Sequence, residues 1–161
     1  MLSKLQRLSV EAEGRYASDA ELQFLDSYLQ SFSSRVDAYA KIQVSERQIV
    51  DKVQIEMRLQ DPTIFVKGNE DLSNKWKQDT IRVLRYTAIA LLLDDPDLLQ
   101  EQFLFWFQTI MQAFGAQQAC NLTYKVMQDV VKQTLPLSVA NLLCPILELN
   151  RSLLSATADR F

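Results

Sequence analysis

Between Asp71 and Leu93 the apolar positions fall into two stripes. Leu72, Trp76, Asp79, Val83, Tyr86, Ala90 and Leu93 are spaced alternately four and three residues apart, which is the spacing of one face of a 3.6-residue helix. Ile81, Leu84, Ala88 and Leu91 make a second face, so the C-terminal half is apolar nearly all round, as in a helix that enters a core. The stretch holds no Gly or Pro and reads as the longest and most buried helix of the chain. Asp79 stands out on its stripe, because a carboxylate among apolar neighbours needs a donor or a cation.

The same period recurs on either side. Residues 2–13 place Leu2, Leu5, Leu8 and Ala12 on one face of a helix too short to persist without a partner surface. Gly14 breaks it, and Ser18 with Glu21 forms a capping box that opens the next helix, which carries Leu22, Leu25, Tyr28 and Leu29. The hydroxyls of Ser31, Ser33 and Ser34 predict a bend there. A second box, Ser45 to Gln48, predicts a new helix with Ile49, Val53 and Met57 on one side, stopped by Asp61-Pro62. Gly68-Asn69 marks a turn before the central helix. Asp95 then caps a helix that starts on Pro96. Its aromatics, Phe103, Phe105, Trp106, Phe107 and Phe114, point to core or to a ligand pocket, with core as the main role. Helices over 117–134 and about 138–156 follow, the last kinked at Pro145, and the tail from Thr157 reads as frayed. The pattern is all-α with no β-sheet.

Composition narrows the function. The 161 residues, 48 % apolar and with only 3 Gly, suit one globular unit. A net charge of −3 gives no footprint for nucleic acid. The longest apolar run, Ala88–Leu93, is far too short to insert in a membrane, and no secretory leader is visible, so a cytoplasmic chain is expected. With no histidine, the Ser–His–Asp and Cys–His mechanisms and the usual metal sites are absent. Cys120 and Cys144 read as ordinary core thiols, and no enzymatic chemistry is expected.

Two strings carry a resemblance. Glu11-Ala-Glu-Gly-Arg15-Tyr16-Ala-Ser18, with Glu21-Leu22 beyond, is similar to the D-A-E-A-R-Y-L-S…E-L segment of the phycobilisome protein family, the allophycocyanin and phycocyanin subunits of photosynthetic antennae. Lys75-Trp76-Lys77-Gln78-Asp79-Thr80-Ile81-Arg82-Val83-Leu84-Arg85 resembles the family's C-x-R-D-x-x-Y-Y-L-R in degenerate form. The resemblance implies a globin-like helical bundle over 31–161 preceded by an N-terminal helical hairpin over 1–30 used for pairing, within a single domain 1–161.

The resemblance also implies where the chain departs from the family. Trp76 stands where a family cysteine forms the thioether to a linear tetrapyrrole, and indole cannot replace a thiolate. Gln78 replaces an arginine that meets a bilin propionate, and Met111 a tyrosine, while Asp79 matches the aspartate that takes the pyrrole N–H groups. No covalent bilin is therefore expected. Three readings of the pair Trp76 and Asp79 stay open: a bilin held non-covalently, an indole that fills the vacated pocket, or an i,i+4 ion pair of Asp79 with Lys75. Glu11 and Arg85 match an acid and an arginine that pair across a family subunit interface, with Arg15 and Tyr16 near the same seam. The expected role is a structural, assembly or regulatory partner of the antenna. It would act as a homodimer or as a heterodimer with a phycobiliprotein-like subunit, in the cytoplasm or peripheral to the thylakoid membrane. The alternatives are a light-harvesting subunit with a non-covalent tetrapyrrole, and a globin-like signalling or adaptor domain.

Overall fold

A computed structural model describes residues 1–156 of the chain. Helix α1, Leu2–Glu11, is followed by α2, Asp19–Gln60. A ladder of two two-residue strands, β1 (Val66–Lys67) antiparallel to β2 (Glu70–Asp71), turns about Gly68, whose φ of +62° suits a residue without Cβ. Then come α3 (Ser73–Leu93), α4 (Pro96–Leu99), a π-helical turn (Gln100–Leu104) that runs straight into α5 (Phe105–Ala113), α6 (Gln117–Thr134) and α7 (Leu137–Leu154). The architecture is all-α and globin-like.

The core forms where α2 crosses α3 and α6, and α6 packs on α7. Ile42, Ile49, Val53 and Met57 of α2 meet Leu84 and Leu91 of α3, Met127 of α6, and Leu143 and Leu147 of α7, all of them solvent-free. One polar tie crosses this core. Asn150 donates to the Thr87 hydroxyl at 2.7 Å, and Thr87 donates to the Val83 carbonyl at 2.8 Å. Another closes the C-terminal end of α3, where Arg35 donates to the Leu91 carbonyl at 2.8 Å and pairs with Asp94 at 2.7 Å. A cation there complements the negative end of the helix dipole.

Several expectations hold in detail. Ser18 accepts from the Glu21 amide while Glu21 accepts from Ser18, completing the capping box. Asp95 caps α4 through the Leu98 amide at 3.1 Å, with Pro96 in the first turn. Pro145 lies inside α7 and both cysteines are free.

Others are corrected. The longest helix is α2, with 42 residues, not the central one, with 21. The Ser45 box starts nothing, because Ala38, Ile42, Ile49 and Val53 lie on one buried face and continuing the helix buries all four. The β1–β2 ladder overturns the expectation of no sheet, in the smallest form a ladder takes. Phe103 and Phe107 are core, whereas Phe105, Trp106 and Phe114 are about half exposed. Tyr86, placed on the buried stripe, stacks on Phe103 with centroids 4.3 Å apart and stays 41 % exposed. The tail from Thr157, read as frayed, lies outside the described residues.

Candidate functional site

The sequence places a carboxylate and an indole one turn apart near the start of α3, and the fold builds a cavity around them. Its volume is about 380 Å³, within the roughly 300–1,000 Å³ usual for small-molecule sites. The first turns of α3 form one wall, and the segment from Ile64 through β1 forms the rim. From α5 and its C-cap come Phe107, Met111 and Phe114, and α6 supplies Cys120, Thr123 and Tyr124.

Trp76 lines this cavity and is half-buried. Its indole N–H donates to the Thr123 hydroxyl at 2.9 Å, and that hydroxyl donates onward to the Ala119 carbonyl at 2.7 Å. The ring tilts against Phe65 at 5.0 Å between centroids. Asp79 also faces the cavity and is half-buried, yet among the described residues its carboxylate has neither a cation within 4 Å nor a hydrogen-bond donor. The Asp79–Lys75 pair that the spacing allows is not made. Lys75 instead lies over the Phe114 ring, 4.8 Å from its centroid. Lys67 reaches the same ring at 5.7 Å and donates to the Phe114 carbonyl at 3.2 Å. Stacking on an aromatic face stabilises a cation without neutralising it, and among the described residues neither ammonium group nor the carboxylate has an ionic partner.

Burial governs the other titratable groups. The Cys120 thiol is pushed up to about 12, so it stays protonated and is a poor nucleophile. Burial, and then the nearby Cys120 and Asp79, push the Tyr124 phenol well above its ordinary value. Its hydroxyl therefore stays neutral and can donate or accept toward the cavity. No cluster of three or more potential metal-ligating side chains occurs among the described residues.

The residues expected at a pairing seam lie apart from this cavity. Glu11 ends α1 and is exposed, and Tyr16 is 99 % exposed on the connection to α2. Arg15 is committed to its own chain: it holds Glu21 through two bonds of 2.7 and 2.9 Å, which closes the corner between α1 and α2. Arg85 likewise grips Glu46 through two bonds of 2.7 and 2.8 Å, from an exposed groove that Arg82, Tyr86 and Ile89 also line. Within the chain, Glu11 and Arg85 are not bonded to each other.

The sequence alone did not reveal Thr123, Tyr124 or Lys67 as cavity residues, whereas Phe114 was among the aromatics read as core or ligand pocket. Thr123 and Tyr124 sit on α6, more than 40 residues from Trp76, and Lys67 in the β-ladder, and no local spacing marks them. The Phe114-Gly115 pair was readable as a helix end, and Lys75 as an i,i+4 partner for Asp79.

A comparison with curated proteins finds no match. A family model, described as phycobilisome protein, matches residues 8–154, nearly the whole of α1 through α7. The matched span includes the Trp76–Asp79 cavity, the Arg15–Glu21 corner and the Arg85 groove. This chain belongs to the phycobilisome protein family.

Proposed function

We propose that this protein is a phycobiliprotein-like subunit without covalent bilin, serving the antenna as a structural, assembly or regulatory partner. One observation carries the reading. Leu22, Leu25, Leu29, Phe32 and Val36 are spaced three, four, three and four residues apart along the first half of α2, and four of the five are exposed. A five-residue apolar stripe at this period is the seam of a helix–helix contact, and exposed patches of this kind mark interaction sites. The N-terminal hairpin over 1–30 is then a pairing element. Its partner is a second copy of the chain or another family subunit. Glu11 of one protomer and Arg85 of its partner supply complementary charge at the seam, with Tyr16 packed beside them.

Lack of a covalent pigment rests on chemistry. Trp76 offers no thiolate, and Cys120, which does face the cavity, is held protonated. The role is non-catalytic, and its place is the cytoplasm, at the thylakoid surface where antennae sit. No helix among the described residues is long and apolar enough to cross a membrane.

Affinity capture from native cells, with a visible spectrum of the eluate, tests this reading. Antenna subunits should co-purify, or the isolated chain should sediment as a dimer. A monomer that brings down no antenna protein would sink it. A second reading has one specific support, the unpartnered carboxylate of Asp79 in an apolar cavity: a linear tetrapyrrole held non-covalently, with its N–H groups on Asp79. A colour that leaves the denatured protein in acidified solvent would favour it. A zinc-fluorescent band on the denatured chain would refute both readings.

A further inference from the structure

Apolar packing does little to hold α1 on the bundle. Among the described residues no side chain of α1 is buried, and Leu5 and Leu8 are only partly covered. A helix of 10 residues is marginal by itself, so polar contacts must fix it in place. The Arg15–Glu21 pair closes the corner beyond its last turn. Its first turn meets Asp95, at the junction of α3 and α4, a carboxylate only 2 % exposed.

The two oxygens of Asp95 are divided between two helices. Oδ1 accepts from the Leu98 amide at 3.1 Å and caps α4. Oδ2 accepts from the Ser3 amide of α1 at 2.7 Å, across 92 residues of sequence. The Met1 amino group lies 3.1 Å from that same oxygen. Burial alone would raise the Asp95 carboxyl, but the donations from Ser3 and Leu98 hold it below its ordinary value. Amides in a first turn have no partner within their own helix, and an ionised carboxylate meets both of these with charge-assisted bonds. The neighbouring Arg7–Asp97 contact is 3.8 Å long and half exposed or more, the kind of ion pair that contributes little.

We propose that Asp95 is the positioning residue of the pairing hairpin, a double-headed cap that clips the start of α1 to the start of α4. The arm then has a fixed direction on the bundle only while both oxygens accept. This inference rests on the pairing reading, in which α1 carries Glu11 to the seam and leads through Tyr16 into the apolar stripe of α2.

Asp95→Asn separates the two tasks of the carboxylate. Asn caps a helix about as well as Asp, but its amide has one accepting oxygen and an NH₂ group that only donates. The substituted side chain should keep α4 capped and turn a donor toward the Ser3 N–H. Hydrogen exchange on the full chain, tagged at its C-terminus, should show the Leu98 amide still protected and the α1 amides exchanging about tenfold faster or more. Tm should stay nearly unchanged, and sedimentation should show association weakened about tenfold. Asp95→Ala removes both acceptors and should loosen α4 as well; if it does not fold, Asp95→Asn alone decides. The proposal is overturned if α1 of the Asp95→Asn protein exchanges as in wild type, or if α1 is freed and pairing is undiminished. Loss of Leu98 protection and of Tm in step with α1 would also overturn it, as the mark of a general structural role. A monomeric wild type would remove the pairing reading, and α1 exchange would still decide whether Asp95 holds the arm.

Discussion

The two halves of α2 share one backbone and serve different surfaces. From Ala38 to Met57 the helix buries Ala38, Ile42, Ile49, Val50, Val53 and Met57 against its own chain. From Asp19 to Asp37 it buries only Tyr28, whose hydroxyl reaches the Leu92 carbonyl at 3.1 Å. Both halves carry apolar residues at helical spacing. The difference lies in what the rest of the chain offers: the second half shares one buried core with α3, α6 and α7, whereas the first half meets the chain through Tyr28 and Arg35 at the C-terminal end of α3. Apolar periodicity reports that a face is meant to be covered, and it does not say by which molecule.

The sharpest way to test this contrast is to truncate each half. Met57→Ala should lower stability by about 2–5 kcal/mol, the range for opening a cavity in a packed core. Leu29→Ser, on the uncovered half, should change the stability of the isolated chain by no more than about 0.5 kcal/mol. Equal losses in urea melts would show that the first half is not free. The next test charges the seam. Leu29→Glu with Phe32→Glu should weaken association by about tenfold or more, because burying carboxylates without partners is unfavourable, while leaving Tm nearly unchanged. Unaltered sedimentation would remove the stripe from the interface. Ser18→Ala should cost about 1 kcal/mol of helix stability through the lost cap, seen as fraying at the start of α2 in hydrogen exchange and not in the core.

The smallest effect is expected from acid. Hydrogen bonds from Arg151, and then from Gln128, hold Glu148 down to about 2, below its ordinary 4.5. A depressed carboxylate contributes stability that is complete above about pH 4.5 and is lost as pH falls through 2. Glu148 joins α7 to α6 through Gln128 at 2.9 Å. Acid in that window should therefore loosen the α6–α7 side, and Glu148→Gln should flatten that part of the stability profile.

How much was legible follows the range of the forces involved. Local signals were read correctly where the chain talks to its neighbours in sequence, as at the Ser18–Glu21 box, the Asp95 cap and the break at Asp61-Pro62. Ser45 shows the limit: the same box motif is silent when a continuous buried face on both sides rewards an unbroken helix. Asp79 was visible as a candidate because it breaks an apolar stripe, and Trp76 because it stands where the resembling family carries a cysteine. Their surroundings were not, since Thr123 and Tyr124 arrive through tertiary packing. The Asp79–Lys75 pair, one of the three readings the spacing left open, is not made, and Lys75 lies instead over an aromatic ring brought in at the end of α5.

The π-helical turn at Gln100–Leu104 has a consequence for the phase of everything that follows it. A π-turn is an α-helix that has absorbed one surplus residue without opening a loop, and such turns are frequent at functional sites. Because the wide turn takes up that residue locally, Phe107 and Met111 keep the facing they would have on an unbroken α-helix one residue shorter. Excising Gln102 should therefore close the bulge to plain α-helix and leave both side chains on the cavity, whereas a one-residue deletion one turn into α5 would carry everything after it round by about 100°. The bulge is slack in the chain, a place where a change of length is forgiven.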